Sequence, residues 1–200
     1  MIFTHWLVIA GVIVGFGGSF KYIRDTLIGE TKPNRVSWLM WSLAPLISLG
    51  AALSSGGDFW ANIRVFTAGF IPLIIFIISF VNPKSYWKIT FFDLVCGACS
   101  AVAIIIWLVI DSPRLAIILA LLGDGFAAFP TIIKAWKFPE TETGLTFIAG
   151  IISVLLILPS IPVWNIENSA FQIYLLIANF SIAISIYRKK IFGYFLADKC

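Results

Sequence analysis

Charge is what this chain has least of. Only 12% of its 200 residues are Asp, Glu, Lys or Arg, against roughly 25% in a soluble domain. Its single histidine, His5, stands near the N-terminus, which excludes a buried histidine relay, an HExxH zinc site and a Ser–His hydrolase. No GxSxG elbow or Walker loop occurs, so nothing in the sequence argues for an enzyme. Cysteines number 3. Cys96 and Cys99 form a CxxC (CGAC) without a second pair or a histidine, and two thiols fall short of a metal site. With Gly97, Ala98 and Ser100 they suit close helix packing instead. No metal and no cofactor is implied.

Apolar residues fill the space, at 60% of the chain and a mean hydropathy of +0.99. Crossing about 30 Å of hydrocarbon takes about 20 apolar residues per helix. Seven such runs are legible, at roughly 4–24, 35–54, 60–81, 89–109, 114–134, 144–163 and 168–188. They consume most of the chain and predict one all-α membrane domain over 1–200. Stretches such as Ala116–Leu122 (AIILALL) and Leu73–Phe80 (LIIFIISF) do not alternate, which excludes a β-barrel. The first run lacks a basic leader and a cleavage site, and reads as a helix that stays.

The scarce charges carry orientation. Of the 14 lysines and arginines, all but Arg64 and Arg114 fall in the loops after runs one, three and five or in the tail. Positive residues mark the cytoplasmic side, so the N-terminus is expected outside and the C-terminus inside. A pI near 9.1 then reflects topology and contact with anionic lipid, not nucleic acid. Trp6, Trp60, Trp107 and Trp164 fall at expected outer ends and Trp38, Trp87 and Trp136 at inner ends, as an aromatic belt would. Trp41 lies a turn deeper.

Two stretches about 109 residues apart share a plan. FKYIRDTLIGETKPNRVSWLM (Phe20–Met40) and FPTIIKAWKFPETETGLTF (Phe129–Phe147) each run from an apolar helix end through basic residues and a Thr/Pro/Glu loop to a Ser or Thr that opens the next run. That period divides the helices into a three-helix unit (1–82), a linker helix (83–111), a second three-helix unit (112–191) and a tail (192–200). The linker returns the chain to its starting side and makes the units parallel, a transporter design.

Pro130, Thr131, Ile132, Ile133, Lys134 and Trp136, followed by Thr143, Gly144, Leu145 and Thr146, resemble a PQ-loop. With the three-one-three layout, the whole chain resembles the SWEET and PQ-loop superfamily of seven-helix transporters. The first copy is degenerate, with Lys21 where the proline would fall, and Thr131 replaces the glutamine of the second. The resemblance implies alternating access by two three-helix units. It also implies an asparagine on the last helix as a solute contact, a role that falls to Asn179. The matching place on the third helix holds Gly69 or Phe70, so the paired-asparagine sugar site is broken.

Ionisable groups inside a membrane are candidate functional groups. Asp124, in LLGDGFAAF near the centre of the fifth run, is placed to contact solute and to exchange a proton; a permanent helix-to-helix hydrogen bond is the alternative. Asn179 is a solute contact or, alternatively, a helix-to-helix hydrogen bond. Trp41 is a candidate stacking surface for solute, or packs in the core. Pro45, Pro72, Pro130 and Pro159 each interrupt helical hydrogen bonding and are candidate hinges. Asp93, one turn inside the fourth run, is expected to pair with Lys84 or Lys88.

The expected function is a secondary transporter or facilitator of a small polar solute, proton-coupled if Asp124 titrates. The alternative is a non-transporting receptor or assembly factor on the same fold. The sequence admits a homo-oligomer without specifying one. Its only sequon, Asn179–Phe180–Ser181, is intramembrane, and it has no soluble tails, which favours a bacterial inner membrane.

Overall fold

The structure is a computed structural model that describes residues 2–54, 59–110, 113–161 and 163–197. Among these there are seven α-helices and no strand: α1 (Ile2–Ile28), α2 (Arg35–Ser54), α3 (Phe59–Ile78), α4 (Phe91–Val109), α5 (Pro113–Lys137), α6 (Leu145–Ile157) and α7 (Ile166–Ala197). Four of them are long and apolar enough to cross a membrane, over Trp6–Ile28, Phe91–Val109, Ile117–Lys137 and Ser169–Ile191; Phe66–Ile78 and Leu145–Ser160 are apolar but shorter.

Helices α1 and α7 outrun their apolar stretches, because backbone hydrogen bonding continues where hydropathy stops. At α6 the reverse holds. The helix ends at Ile157 and Pro159 sits in a 3-10 turn, Leu158–Ser160. Pro159 was expected inside a longer sixth helix; having no N–H to donate, it terminates α6 instead of interrupting it. Pro45, Pro72 and Pro130 do lie inside helices.

Helix α3 packs on both α1 and α2, and α7 packs on both α5 and α6. The two groups meet where α1 lies on α6 and α2 lies on α5, while α4 leans from outside on α5 and α2. Small residues permit the close crossings. A Cβ at Gly18 would land on Ala149 of α6, and one at Gly123 would press on Ala103 and the Ser100 carbonyl of α4. The outward walls are apolar and exposed, as at Phe91 (82%) and Val109 (79%), which suits lipid and not water.

The loops 29–34, 79–90 and 138–144 gather at one end. Gly29, at φ 88°, turns the chain out of α1 in the left-handed region that favours glycine. Asn34 then caps α2, its Oδ1 accepting from the N–H groups of Val36 and Ser37 at 3.1 and 3.3 Å. The Arg35 guanidinium donates to the Ser79 carbonyl at the end of α3 at 2.7 Å and lies 3.9 Å over Phe80. Asn82 donates to the Leu27 carbonyl at 2.8 Å, and Ser85 donates to that of Thr26.

Two expectations are corrected at this end. Asp93 pairs with neither Lys84 nor Lys88. At the third position of α4 its carboxylate reaches back to the Thr90 N–H (2.7 Å) in a capping box and accepts from Asn34 Nδ2 (3.1 Å). Trp38 is no belt residue. It is buried in the central cluster with Tyr22, Ile75, Phe147 and Ile182, because its place on α2 faces the other helices. Trp6, Trp136 and Trp164 are exposed.

Candidate functional site

A cavity of about 290 Å³ lies among α1, α2, α3, α5, α6 and α7. Its size is near the lower limit of small-molecule pockets, roughly 300 Å³. On α7, Phe171, Leu175, Ala178, Asn179 and Ile182 recur at helical spacing and form one stripe of the wall. Helix α1 contributes Gly11, Gly15 and Ser19, whose small side chains leave the space open. Asp124, Asn179, Trp41 and Pro45 all line this cavity, as does Pro72. Pro130 is buried elsewhere on α5, and Pro159 lies beyond the end of α6.

Asp124 is held by one hydrogen bond. Tyr174, on α7, donates its hydroxyl to Asp124 Oδ2 at 2.7 Å. The Trp41 indole lies close enough to the carboxylate to act on it, yet its buried Nε1–H makes no hydrogen bond of ordinary geometry. Behind Asp124, Gly123 accommodates α4, and a Cβ at Gly125 would lie 3.9 Å from the Tyr174 ring. Asn179 donates from Nδ2 to the Leu175 carbonyl one turn back, at 2.8 Å. Its carboxamide occupies the space that a side chain at Gly150 of α6 would need. Asp124 Oδ1 and Asn179 Oδ1 accept no hydrogen bond among the described residues. The buried Gln172 Oε1, also at the cavity, has no partner either. Of the cavity's polar atoms, Gln172 Oε1 and Trp41 Nε1 are buried and open, as are Asp25 Oδ1 and Ser100 Oγ away from it. Buried polar atoms are nearly always satisfied, and open ones beside a cavity are groups a polar ligand can complete.

Toward the gathered loops the cavity is closed by aromatic and polar layers. Trp38 packs on Tyr22 (ring centroids 4.9 Å apart), on Phe147 (6.5 Å) and on Trp41 (5.1 Å, edge-on). Its Nε1–H donates to the Tyr22 hydroxyl at 3.1 Å, and that hydroxyl donates to Glu142 Oε2 at 2.8 Å. Lys134 pairs with Glu142 Oε1 at 2.7 Å and donates to the Lys32 carbonyl. Thr143 donates to Asp25 Oδ2 at 2.7 Å and meets Thr31 at 2.5 Å; Lys21 also pairs with Asp25, at 2.7 Å. The Lys32 N–H donates to the Thr141 carbonyl at 3.0 Å. These bonds tie α1 and the loop after it to the loop between α5 and α6. Deeper, the buried Thr131 hydroxyl donates to Ser37 at 2.8 Å and ties α5 to α2.

The sequence did not disclose this network. Lys134 was counted among orienting charges, although it is buried beside Glu142. A lysine and a glutamate flanking Pro139 were the available signal, and Tyr22 offered none. Cys96 and Cys99 are free thiols, and no group of metal-ligating side chains occurs among the described residues. Cys99 lines a separate groove of about 370 Å³ between α4 and α5, whose other lining residues are apolar. The side chains of His5, Trp60, Asn62, Arg64 and Arg114 lie outside the described residues. No protein-family model, curated protein or solved structure matches this chain.

Proposed function

We propose that this protein is a multi-pass membrane transporter for a small polar organic solute, which binds in the central cavity and crosses by alternating access. The observation that carries the reading is the gathering of Asp124, Asn179, Gln172 and Trp41 around a space of about 290 Å³, with the buried Gln172 Oε1 and Trp41 Nε1 left without partners. Buried hydrogen-bonding groups left open are costly unless a ligand completes them.

A three-one-three arrangement of parallel repeats is supported by the packing. The pairs α1–α3, α2–α3 and α1–α6 recur as α5–α7, α6–α7 and α5–α2 when α1, α2 and α3 are interchanged with α5, α6 and α7. The PQ-loop resemblance of Pro130–Thr146 agrees with it. An N-terminus outside and a C-terminus in the cytoplasm of a bacterial inner membrane follow from the basic loops, which gather at one end with Arg188 of α7 donating to the Ala135 carbonyl there. In this reading the Tyr22–Glu142–Lys134 and Asp25–Thr143 bonds are the closed inner gate, and Pro45 and Pro72, beside the cavity, are points at which α2 and α3 flex.

Proteoliposome counterflow tests the reading. Labelled solutes of several classes should exchange across vesicles that hold the protein, and Asp124→Asn should remove any dependence on a pH gradient. Absence of exchange for every class, with the protein monodisperse and correctly inserted, would refute transport and turn attention to the receptor alternative.

A further inference from the structure

We propose that the solute is a small organic cation, an ammonium group attached to a compact apolar or aromatic body, and that it exchanges with a proton on Asp124. The inference rests on the cavity being a transport site and names what that site selects.

Charge is the first ground. Asp124 is the sole charged residue among the described residues that line the cavity; no lysine or arginine accompanies it. An anionic solute would find no counter-ion here whether Asp124 is protonated or ionised, and would meet a like charge in the second case. A cation finds its counter-ion in the ionised carboxylate. The open hydrogen-bonding groups lean the same way. Asp124 Oδ1, Asn179 Oδ1 and Gln172 Oε1 are acceptors without donors, and an ammonium group brings three donors and no acceptor. The aromatic walls are the third ground. Trp38, Trp41, Phe147 and Phe171 line the cavity, and the face of an aromatic ring, tryptophan above all, attracts a cation. Size limits the body. A cavity of about 150 Å³ holds benzene, so about 290 Å³ admits one ring with a short amine arm.

Exchange follows from the single carboxylate. A protonated Asp124 keeps the empty cavity neutral. When the ammonium arrives, the O–H bond of the acid breaks, the proton leaves to water, and the carboxylate and ammonium form the ion pair. The net charge of the enclosure is then unchanged. No second titratable group is positioned to take that proton. Tyr174 of α7 already donates to Oδ2, Trp41 of α2 does not titrate, and α4 meets this part of α5 through Ala103 and the Ser100 carbonyl at Gly123. Cys99 of α4 lines the separate groove.

The test uses the full chain in nanodiscs and three probes of one shape: 2-phenylethylammonium, 2-phenylethanol and 3-phenylpropionate. Thermal stabilisation reads binding, and a pH dye in weakly buffered solution reads protons released. The ammonium probe should bind at least tenfold more tightly than the other two and release up to one proton per site at acidic pH. Asp124→Asn should abolish both effects, and Asp124→Glu should retain them. Equal binding of the alcohol, tighter binding of the carboxylate, silence from all three, or ammonium binding without proton release at any pH would overturn the inference. If Asp124→Asn does not fold, the wild-type series with its proton count decides alone. Counterflow separates the two proposals. Exchange of a neutral solute but not of ammonium would remove the cation inference and leave transport standing, whereas ammonium binding without exchange would do the opposite.

Discussion

Two polar regions of this bundle lie a few helical turns apart and are built on opposite rules. Around Glu142, at the end where the loops gather, a buried lysine, carboxylates, a tyrosine and threonines bond to one another across α1, α5 and the loop before α6, with Asp25 Oδ1 left without a partner. Around Asp124 a carboxylate, two carboxamides and an indole share one cavity and leave oxygens and an N–H unused. A densely bonded network fixes geometry, and a sparsely bonded one leaves groups free for a ligand. Polarity inside the bundle therefore separates into a part that ties the helices together and a part that lines the cavity of the proposed site.

Substitutions at each region put that difference at risk. Glu142→Ala should have the largest effect, because it strands the buried Lys134 and removes the acceptor of Tyr22. A loss of about 3–5 kcal/mol is expected for a broken buried pair, seen as a collapse of monodisperse protein on size exclusion. The double variant Lys134→Met with Glu142→Leu should recover much of that loss, since apolar residues replace buried pairs at little cost. Tyr22→Phe comes next, at about 1–3 kcal/mol, with Trp38 Nε1 left unpaired; a melting temperature within error of wild type would mean the hydroxyl does not brace this network. Gly150→Ala should leave the fold nearly intact, because the group it displaces is the swinging end of Asn179, yet it should weaken solute binding measurably in titration. Asp124→Asn should change stability least, by less than about 1 kcal/mol, since a carboxamide oxygen still accepts from Tyr174. Its effect belongs to exchange and pH response. Strong destabilisation by Asp124→Asn would erase the contrast between the regions.

The legible part of this molecule was the part written in local pattern. Apolar runs located the helices, and the run 35–54 coincides with α2. Asp124, Asn179 and Trp41 stood out because each is unusual at its depth, and the fold sets all three on one cavity. The network at Glu142 was not legible, since its partners come from positions as far apart as Tyr22 and Glu142 and only tertiary packing decides whether a lysine at a helix end reaches water or folds inward. Asp93 was misread for a related reason. A carboxylate near two lysines suggests an ion pair, but its place three residues beyond Thr90 makes the cap nearer at hand.

One further feature bears on the surrounding lipid. Helix α6 has 13 residues and is followed by a 3-10 turn of 3. At about 1.5 Å and about 2 Å per residue respectively, it spans about 26 Å, short of the roughly 30 Å hydrocarbon of an average bilayer. The same helix carries Gly150 against Asn179. In the seven-span arrangement proposed above, bilayer thickness becomes a variable of this cavity, because a thicker membrane would have to thin around α6 or pull on the wall that abuts the asparagine. Exchange measured in lipids of stepped acyl-chain length should pass through an optimum in the shorter chains.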